Sequence, residues 1–598
     1  MGCRQLSMIV LFLWVFQFPD KTVVSSAVEE KGTVFVYGRA AVGTVDEDFI
    51  CATLDWWPPQ KCDYGTCAWD HASILNLDLN NTIFQNAIRE FAPLKIRIGG
   101  TLQDLVIYET PDQKQPCLPF TQNTSLLFGY TQGCLPMRRW NQLNDFFSKT
   151  GAKVIFGLNA LSGRSIQSNG EAVGAWDYTN AESFIRYIVQ NNHTVDGWEL
   201  GNELCGSGVG TRVAASQYAT DTIALRNIVN RVYRDGSPMP LVIGPGGFFD
   251  AAWFTEYLNK AENSLNATTR HIYNLGPGKG FASSSSFFSA PLLSPKWKRK
   301  QNYIFDALGV DQHLIEKILN PSYLDQEAIT FRSLKNIINN SSTKAVAWVG
   351  EAGGAYNSGR NLVSNAFLGM ASVYDTKTYC RQSLIGGNYG LLNTTNFTPN
   401  PDYYSALIWR RLMGRKALFT SFSGTKKIRS YTHCARQSKG ITVLLMNLDN
   451  TTTVVANVEL NNTYKLRHRK TSQKIARTSQ MPWVSDGETQ REEYHLTAKD
   501  GNLHSQTMLL NGHALQVNSI GDIPPLEPIH VNSTDPITIA PYSIVFVHMP
   551  NVVRVRTKLQ EKLLLVTKAT ATSPHVKLIV FFFGTNINEV VRRSNSLN

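Results

Sequence analysis

The sequence lacks the features that mark several common classes of protein. No internal repeat is evident, and no glycine-rich phosphate loop opens a predicted helix, which argues against a doubly wound nucleotide-binding sheet. Cys62 and Cys67 have no second Cys or His pair at zinc-finger spacing, so no structural zinc site is predicted. With 43% hydrophobic and 17% charged residues, the composition is neither collagen-like nor disordered. The 598 residues therefore predict a large globular domain and a smaller one.

Long apolar runs are also missing. The run Met8–Phe18 follows Arg4 and precedes Ser25-Ser26-Ala27, which is the pattern of a secretory signal over residues 1–27, and it is too short to predict a transmembrane helix. We expect export to the extracellular space or to a lysosome- or vacuole-like compartment. Export agrees with glycosylation sequons, among them those at Asn123, Asn192, Asn266, Asn393, Asn450 and Asn532. The eight cysteines beyond the signal permit disulfides there, but the sequence does not fix their pairing.

The formal charge of +12 is unevenly distributed. Residues 279–309 carry a net charge of +4 and residues 551–598 carry +6, so the rest of the chain carries only +2. The basicity is therefore poor evidence for a polyanionic substrate, and no nucleic-acid partner is predicted. A weaker hypothesis uses the basic tail for peripheral association with a membrane surface.

Strand and helix patterns alternate along most of the chain. Eight strands are predicted, at Phe49–Leu54, Leu94–Ile98, Lys153–Leu158, the run ending at Glu203, Leu241–Gly244, His271–Leu275, the run ending at Glu351, and Thr378–Leu384. Amphipathic helices separate them. This alternation and count predict an α/β fold of the (β/α)₈ TIM-barrel type over residues 48–415, with an atypical insertion at 279–309.

The pattern changes after the barrel. Ile441–Leu448, Thr453–Leu460 and Ser543–Met549 are apolar or alternating and are separated by polar turns. They predict a C-terminal antiparallel β-sandwich domain over residues 416–550. Residues 28–47 contain a further strand that we expect to join this domain, and residues 551–598 form an atypical basic tail.

Two of the predicted barrel strands end in a carboxylate beside glycines, Glu203 and Glu351. In a TIM barrel such residues come together at the C-terminal mouth, and a glycosidase needs two carboxylates there, one as proton donor and one as nucleophile. The alternative for each is a solvated or capping glutamate at a strand–loop junction. The presence of both in the expected strand order favours catalysis.

Four motifs carry a resemblance to a known family. They are WELGNE at Trp198–Glu203, VGEAGGAYNSG at Val349–Gly359, YCRQ at Tyr379–Gln382 and PNPDYY at Pro399–Tyr404. Across most of its length the chain resembles the plant heparanase-like proteins of glycoside hydrolase family 79, which are β-glucuronidases. The resemblance implies Glu203 as acid/base, Glu351 as nucleophile, and no metal or organic cofactor.

The resemblance also implies a set of substrate-binding residues. Asn202 would donate a hydrogen bond to the sugar 2-hydroxyl. Asp55 and Thr101 would line the subsite of the reacting sugar, and His271 and Tyr273 would lie near the nucleophile. Further residues match positions that receive the glucuronate carboxylate, namely Asn357, Ser358 and Tyr389. Each has a structural alternative: a loop cap for Asp55, a turn for Asn357 and Ser358, and packing at the barrel rim for Tyr389 and His271.

The implied function is a secreted retaining exo-β-glucuronidase. Its substrates would be terminal glucuronosyl residues on cell-wall proteoglycan glycans, or small-molecule glucuronides. Three departures from the family pattern, namely the insertion at 279–309, a short segment missing after Phe367 and the tail, support an alternative from another class, a catalytically impaired carbohydrate-binding glycoprotein. The nearest enzymatic alternative is a heparanase-like endo-β-glucuronidase.

Overall fold

The structure is a computed structural model. It describes residues 28–62, 67–234, 238–277, 314–353, 355–356, 364–387, 389–460, 464–466 and 490–554. Several predictions lie outside these residues and are not addressed by it: the signal at 1–27, the insertion at 279–309, Asn357, Ser358 and most of the tail.

Eight parallel strands form a closed barrel, as the sequence predicted. In chain order, and called here the first to the eighth strand, they are Ile50–Asp55, Lys95–Gly99, Lys153–Leu158, Gly197–Leu200, Leu241–Phe248, Ala267–Ile272, Val346–Ala352 and Thr378–Arg381. The eighth strand pairs with the first and closes the barrel. The fourth strand ends at Leu200, so Glu203 lies in the following loop rather than at the strand end.

The predicted bounds of the sixth strand, His271–Leu275, are wrong. The strand begins at Ala267 and ends at Ile272. A search for hydrophobic runs misses this strand, because several of its buried residues are polar. Their partners come from other elements: Thr269 bonds to Glu199, and Arg270 forms a buried ion pair with Glu327.

Amphipathic helices surround the barrel. Those described are Thr82–Arg89, Met137–Thr150, Thr179–Gln190, Ala215–Val232, Ala251–Ala261, Leu314–Ile318, Pro321–Asn340 and Ser364–Val373, followed by Pro401–Leu412. The helix Met137–Thr150 stops at Gly151, whose φ of 68° is the left-handed geometry that glycine adopts readily. The helix Ser364–Val373 connects the seventh and eighth strands, and its Phe367 and Leu368 are buried. The crossover between these two strands therefore forms a helix with residues in the core.

A second domain is built on one sheet of eleven described strands. They are Val28–Thr44, Met413–Ser423, Ile428–Ala435, Ile441–Asn447, Thr452–Leu460, Gln490–Ala498, Met508–Leu510, His513–Ala514, Ile529–Asn532, Ile537–Ile539 and Ile544–Met549. The sheet folds over its own apolar core, which contains Val34, Val443, Val454 and Val547. One pairing departs from the predicted antiparallel pattern, because Val28–Thr44 runs parallel to Thr452–Leu460.

The outer face of this sheet packs against the barrel. Leu444 and Phe546 belong to the same apolar cluster as Trp409 of the helix Pro401–Leu412. Because adjacent strand residues point to opposite faces, Val443 lies in the core of the sheet domain while Leu444 contacts the barrel side. The apolar cluster of the barrel thus extends into the domain interface, while the sheet domain keeps a separate core on its other face.

Three disulfides are present in the described part of the chain, Cys51–Cys380, Cys62–Cys67 and Cys117–Cys134. The first joins facing residues of the first and eighth strands, across the seam that closes the barrel. Within the described residues, no helix is long and apolar enough to cross a membrane.

Candidate active site

The centre of the barrel contains a buried arginine. Along the second strand Lys95 and Arg97 share one face. Lys95 lies over the ring of Trp348, with Nζ 4.2 Å from the ring centroid. Trp348 belongs to a small apolar cluster that is separate from the main core. Arg97 lies two residues nearer the C-terminal mouth of the barrel, and it is 1% exposed.

Arg97 makes three hydrogen bonds with acceptors from three elements. Its Nε donates to Glu199 Oε2 at 2.5 Å, and its two terminal nitrogens donate to Glu351 Oε2 at 3.0 Å and Asn202 Oδ1 at 2.9 Å. Burial alone would lower the pKa of Arg97, but the carboxylates of Glu199 and Glu351 raise it above its usual value. The guanidinium is therefore a fixed positive charge beneath the mouth of the barrel.

Glu199 is the buried partner of Arg97 Nε. Its side chain is fully buried, and its second oxygen accepts a hydrogen bond from Thr269 Oγ1 at 2.7 Å. The Thr269 hydroxyl in turn accepts one from the backbone N–H of Gly246 at 2.8 Å. A buried carboxylate is stable only when its oxygens are satisfied in this way. Glu199 thus fixes the plane of Arg97.

Glu203 lies nearer the mouth of the barrel than Arg97 and Glu199, in the loop after the fourth strand. Its φ of +56° is unfavourable for a residue other than glycine. Two backbone bonds hold this turn: Glu203 N–H donates to Gly246 O at 2.6 Å, and Val209 N–H donates to Glu203 O at 2.8 Å. Burial raises the pKa of Glu203 to about 7, although Arg97 opposes the change. The carboxyl group therefore favours its protonated form below neutral pH.

His271 is the hydrogen-bond partner of Glu203. Its Nδ1 lies 2.9 Å from Glu203 Oε1 and 3.9 Å from Glu351 Oε2. Burial lowers the pKa of His271 to about 4, with Glu351 acting in the opposite direction. The imidazole is therefore neutral at mildly acidic pH and adds no positive charge that would ionise Glu203.

Glu351 has a different environment. Besides the bond from Arg97, its Oε1 accepts a hydrogen bond from the Tyr273 hydroxyl at 2.6 Å. One donor on each oxygen fixes the rotation of the carboxylate. Suitable side-chain atoms of Glu203, His271 and Glu351 all lie within 4.8 Å of one another. The structure thus brings together the two glutamates that the sequence selected.

These three side chains are also of the types that bind metal ions. The Arg97 guanidinium, which bonds to Glu351 Oε2, opposes a second positive charge at this oxygen. The arrangement suits proton transfer and nucleophilic attack between two carboxyl groups with unlike surroundings.

Asp55 borders the same site at the end of the first strand. Its Oδ2 accepts a hydrogen bond from Gln382 Nε2 at 2.6 Å, and its Oδ1 is buried without a hydrogen bond to any described residue. Burial and then the charge of Glu351 raise the pKa of Asp55 well above its usual value. Gly100 leaves room for this carboxyl group, because a Cβ there would lie 1.9 Å from Oδ1.

The other predicted ligands lie around this group to differing extents. Thr101 is half-buried and begins the 3₁₀ segment that follows the second strand. Tyr389 is buried and packs edge-on against Trp69, with ring centroids 6.4 Å apart. Asn202 lies at the centre, because its side chain bonds to Arg97 and its backbone N–H bonds to Asp104. The carboxylate-binding roles of Tyr389, Asn357 and Ser358 stay predictions.

The sequence analysis missed Arg97, Glu199 and Asp104. A signal was available for the first two. Arg97 lies between Ile96 and Ile98, and Glu199 lies between Trp198 and Leu200, each within a strand that is buried on both faces. A charged residue in such a strand is buried whichever face it points to, so it needs a partner in the interior.

Comparisons with known proteins give the family. The sequence matches the model of the N-terminal domain of glycosyl hydrolase family 79 over residues 31–308 and 294–375. Heparanase-like protein 3 of Arabidopsis thaliana is 78% identical, over 92% of this chain and 99% of that protein. Baicalin-beta-D-glucuronidase of Scutellaria baicalensis is 39% identical, over 88% of this chain and 94% of that protein.

A solved structure supports the fold. The alpha-L-arabinofuranosidase of Thermotoga maritima aligns with a TM-score of 0.53 at 12% identity, over 88% of this chain and 100% of that chain. At this identity the likeness bears on the architecture alone. The sequence matches cover most of the chain, and the resemblance stated from the motifs is confirmed: the chain belongs to glycosyl hydrolase family 79.

Proposed function

We propose that this chain is a secreted retaining exo-β-glucuronidase. The observation that carries the proposal is the group formed by Glu203, His271 and Glu351, with suitable atoms within 4.8 Å of one another. Retaining glycosidases place their two carboxyl groups about 5–5.5 Å apart, whereas inverting enzymes need about 6.5–9.5 Å to admit a water molecule. The close approach favours the retaining geometry.

The surroundings of the two carboxyl groups assign their roles. Glu203, whose pKa burial raises to about 7, is the proton donor. Glu351, which accepts bonds from Arg97 and Tyr273, is the nucleophile. An oxygen of Glu351 bonds to the anomeric carbon while the bond from this carbon to the leaving-group oxygen breaks. The leaving-group oxygen takes the proton of Glu203. Glu203 then removes a proton from water, which attacks the anomeric carbon and releases Glu351.

Asn202 supplies a positioned donor for this reaction. Since Arg97 donates to Asn202 Oδ1, the amide nitrogen is the part of the side chain left to contact substrate. A hydrogen bond from it to the sugar 2-hydroxyl would strengthen in the transition state. The choice of a glucuronosyl sugar rests on the glucuronidase relative and on the predicted carboxylate ligands. Cell-wall glycans and small-molecule glucuronides are the proposed sources of that sugar.

Two features support the proposal of export. None of the six sequon residues named above is buried, as the attachment of a glycan requires. Three disulfides in the described part of the chain also favour an oxidising compartment.

The test is hydrolysis of 4-nitrophenyl β-glucuronide at mildly acidic pH, beside the matching β-glucoside and β-galactoside. We expect turnover of the glucuronide, with loss of at least about a hundredfold in Glu203→Gln and Glu351→Gln. Glu256→Gln, on the exposed surface of the helix Ala251–Ala261, is the control and should retain activity. Proton NMR of the first product should show the β-anomer.

Other outcomes separate the alternatives. An α-anomer as the first product would contradict the retaining mechanism. Binding of a glucuronide without turnover by the folded protein would favour the carbohydrate-binding alternative. Internal cleavage of a glucuronic-acid polysaccharide, seen as a rapid fall in chain length, would favour endo action.

A further inference from the structure

Asp104 joins three loops at the mouth of the barrel. It lies in the 3₁₀ segment Thr101–Leu105, after the second strand, and is 1% exposed. Its Oδ1 accepts a hydrogen bond from the backbone N–H of Ala160, after the third strand, at 2.8 Å. Its Oδ2 accepts one from the backbone N–H of Asn202, after the fourth strand, also at 2.8 Å. One carboxyl group thus connects the segment after the second strand to the turn that carries Glu203.

The segment that carries Asp104 is itself fixed. Gln103 Nε2 donates to Leu158 O at 3.0 Å, and the hydroxyl of Tyr108 accepts from Asn159 N–H at 3.2 Å. Gly157 permits this close approach, since a Cβ there would lie 2.0 Å from Gln103 Oε1. Asp104 therefore extends from a rigid support toward Asn202.

The turn that Asp104 holds is strained. Glu203 has a φ of +56°, which persists only where surrounding contacts enforce it. Gly246 and Val209 supply those contacts to the backbone of Glu203 itself. On the N-terminal side, the bond from Asn202 N–H to Asp104 is the corresponding anchor. Without it the N-terminal side of the turn would still be held by Gly201 N–H, which donates to Leu158 O at 3.0 Å, and by the Asn202 side chain, but the N–H of Asn202 itself would lose its acceptor.

Burial of the Asp104 carboxyl group is energetically unfavourable. Burial raises the pKa of Asp104 to about 7, although the N–H groups of Ala160 and Asn202 oppose the change. No side chain in the described part of the chain forms a salt bridge with it, so the two backbone bonds are its main compensation. Two backbone hydrogen bonds only partly offset the cost of burying a carboxyl group. What the group provides in return is a fixed position for the backbone of Ala160 and Asn202.

We propose that Asp104 is a positioning residue that holds the Asn202–Glu203 turn in register, so that Glu203 can protonate the leaving oxygen. This inference rests on the proposed function. It differs from a purely structural role in one consequence: a displaced proton donor slows the departure of a basic leaving group far more than that of an acidic one. A loss of folded protein would lower both rates equally.

The experiment compares kcat/KM for two β-glucuronides, one with 4-nitrophenol and one with methanol as the leaving group. In Asp104→Ala the backbone N–H groups of Ala160 and Asn202 both lose their acceptor. We expect the variant's loss of kcat/KM to be at least about tenfold greater for the methyl glucuronide than for the nitrophenyl glucuronide. Glu203→Gln should show the same pattern, more strongly.

Asp221→Ala is the matched control. Asp221 is also buried and also accepts a backbone N–H, from Trp176, but it pairs with Arg164 instead of contacting Asn202. It should reduce both rates by similar factors or leave them unchanged. Thermal denaturation checks that each variant is folded, and Asp104→Glu provides a second variant that keeps the charge but displaces the carboxyl group.

The outcomes are distinct. Equal losses on both substrates in Asp104→Ala, or no loss, would overturn the inference. If neither Asp104→Ala nor Asp104→Glu folded, the residue would be structural and the inference would also be wrong. If the unaltered protein hydrolysed no glucuronide, the proposed function itself would fail, and that result is recognisable without any variant.

Discussion

The titration of Glu203 should be measurable as a change in stability. Its pKa is about 7 in the folded protein, against the usual 4.5, because burial disfavours the ionised form. A group with a raised folded pKa contributes stability that is fully present below its unfolded pKa and is lost as the pH rises through its folded pKa. For Glu203 this window extends from about pH 4.5 to pH 7, and the difference corresponds to about 3 kcal/mol.

Glu203→Gln removes this titration without changing the shape of the side chain. Relative to the unaltered protein, the variant should gain about 3 kcal/mol of unfolding free energy between pH 4 and pH 8. The assay is urea denaturation at several pH values across this range, with the difference between the two proteins taken at each pH. Other titrating groups, such as His271 and Asp104, are present in both proteins and largely cancel.

Glu182→Gln is a control of opposite sign. Although burial opposes it, hydrogen bonds from Arg186 and Arg231 lower the pKa of Glu182, so its contribution is present at higher pH and is lost on acidification. That variant should therefore become less stable, relative to the unaltered protein, as the pH rises. A difference for Glu203→Gln that stays constant from pH 4 to pH 8, or falls, would refute the reasoning. The same group should appear in kinetics as a loss of kcat/KM above about pH 7.

Three further predictions concern the support of the site. Arg97→Met should lower the free energy of unfolding in urea by about 3–5 kcal/mol, because two buried carboxylates lose their partner; an unchanged midpoint would contradict this. Tyr273→Phe keeps the ring but loses the 2.6 Å hydrogen bond to the nucleophile, so kcat should fall by about tenfold to a hundredfold, and an unchanged kcat would count against the assigned geometry. Replacing the disulfide Cys51–Cys380 by two alanines should cost about 6 kcal/mol of stability, against about 2 kcal/mol for the short-range Cys62–Cys67, and equal costs would contradict the chain-entropy argument.

The architecture was predictable because its signals are local. The amphipathic helices predicted between the strands are present, Met137–Thr150 among them, and its stop at Gly151 follows from glycine's tolerance of positive φ. The sixth strand was misplaced because Thr269 and Arg270 are polar and buried, and their partners lie far away in the sequence. Hydrophobic periodicity carries no information about partners that are distant in the sequence.

The site was predictable only in part, for the same reason. The motifs indicated Glu203 and Glu351, but they did not reveal that Arg97 lies between Glu199, Asn202 and Glu351. The pairing of Cys51 with Cys380, which are separated by 329 positions, likewise depends on barrel closure rather than on local sequence. Closure brings together residues from different strands, so the contacts that tune a barrel site are set by topology.

The most direct test of the central claim is to trap the glycosyl-enzyme. A 2-deoxy-2-fluoro-β-glucuronosyl fluoride should glycosylate the nucleophile, with loss of fluoride, faster than water releases the sugar, and mass spectrometry of the digested protein identifies the modified residue. We expect one sugar per protein molecule, attached to Glu351, and no label on Glu351→Gln. A label on Glu203 or Asp55, or turnover of glucuronides with no covalent sugar on the protein, would contradict the assignment.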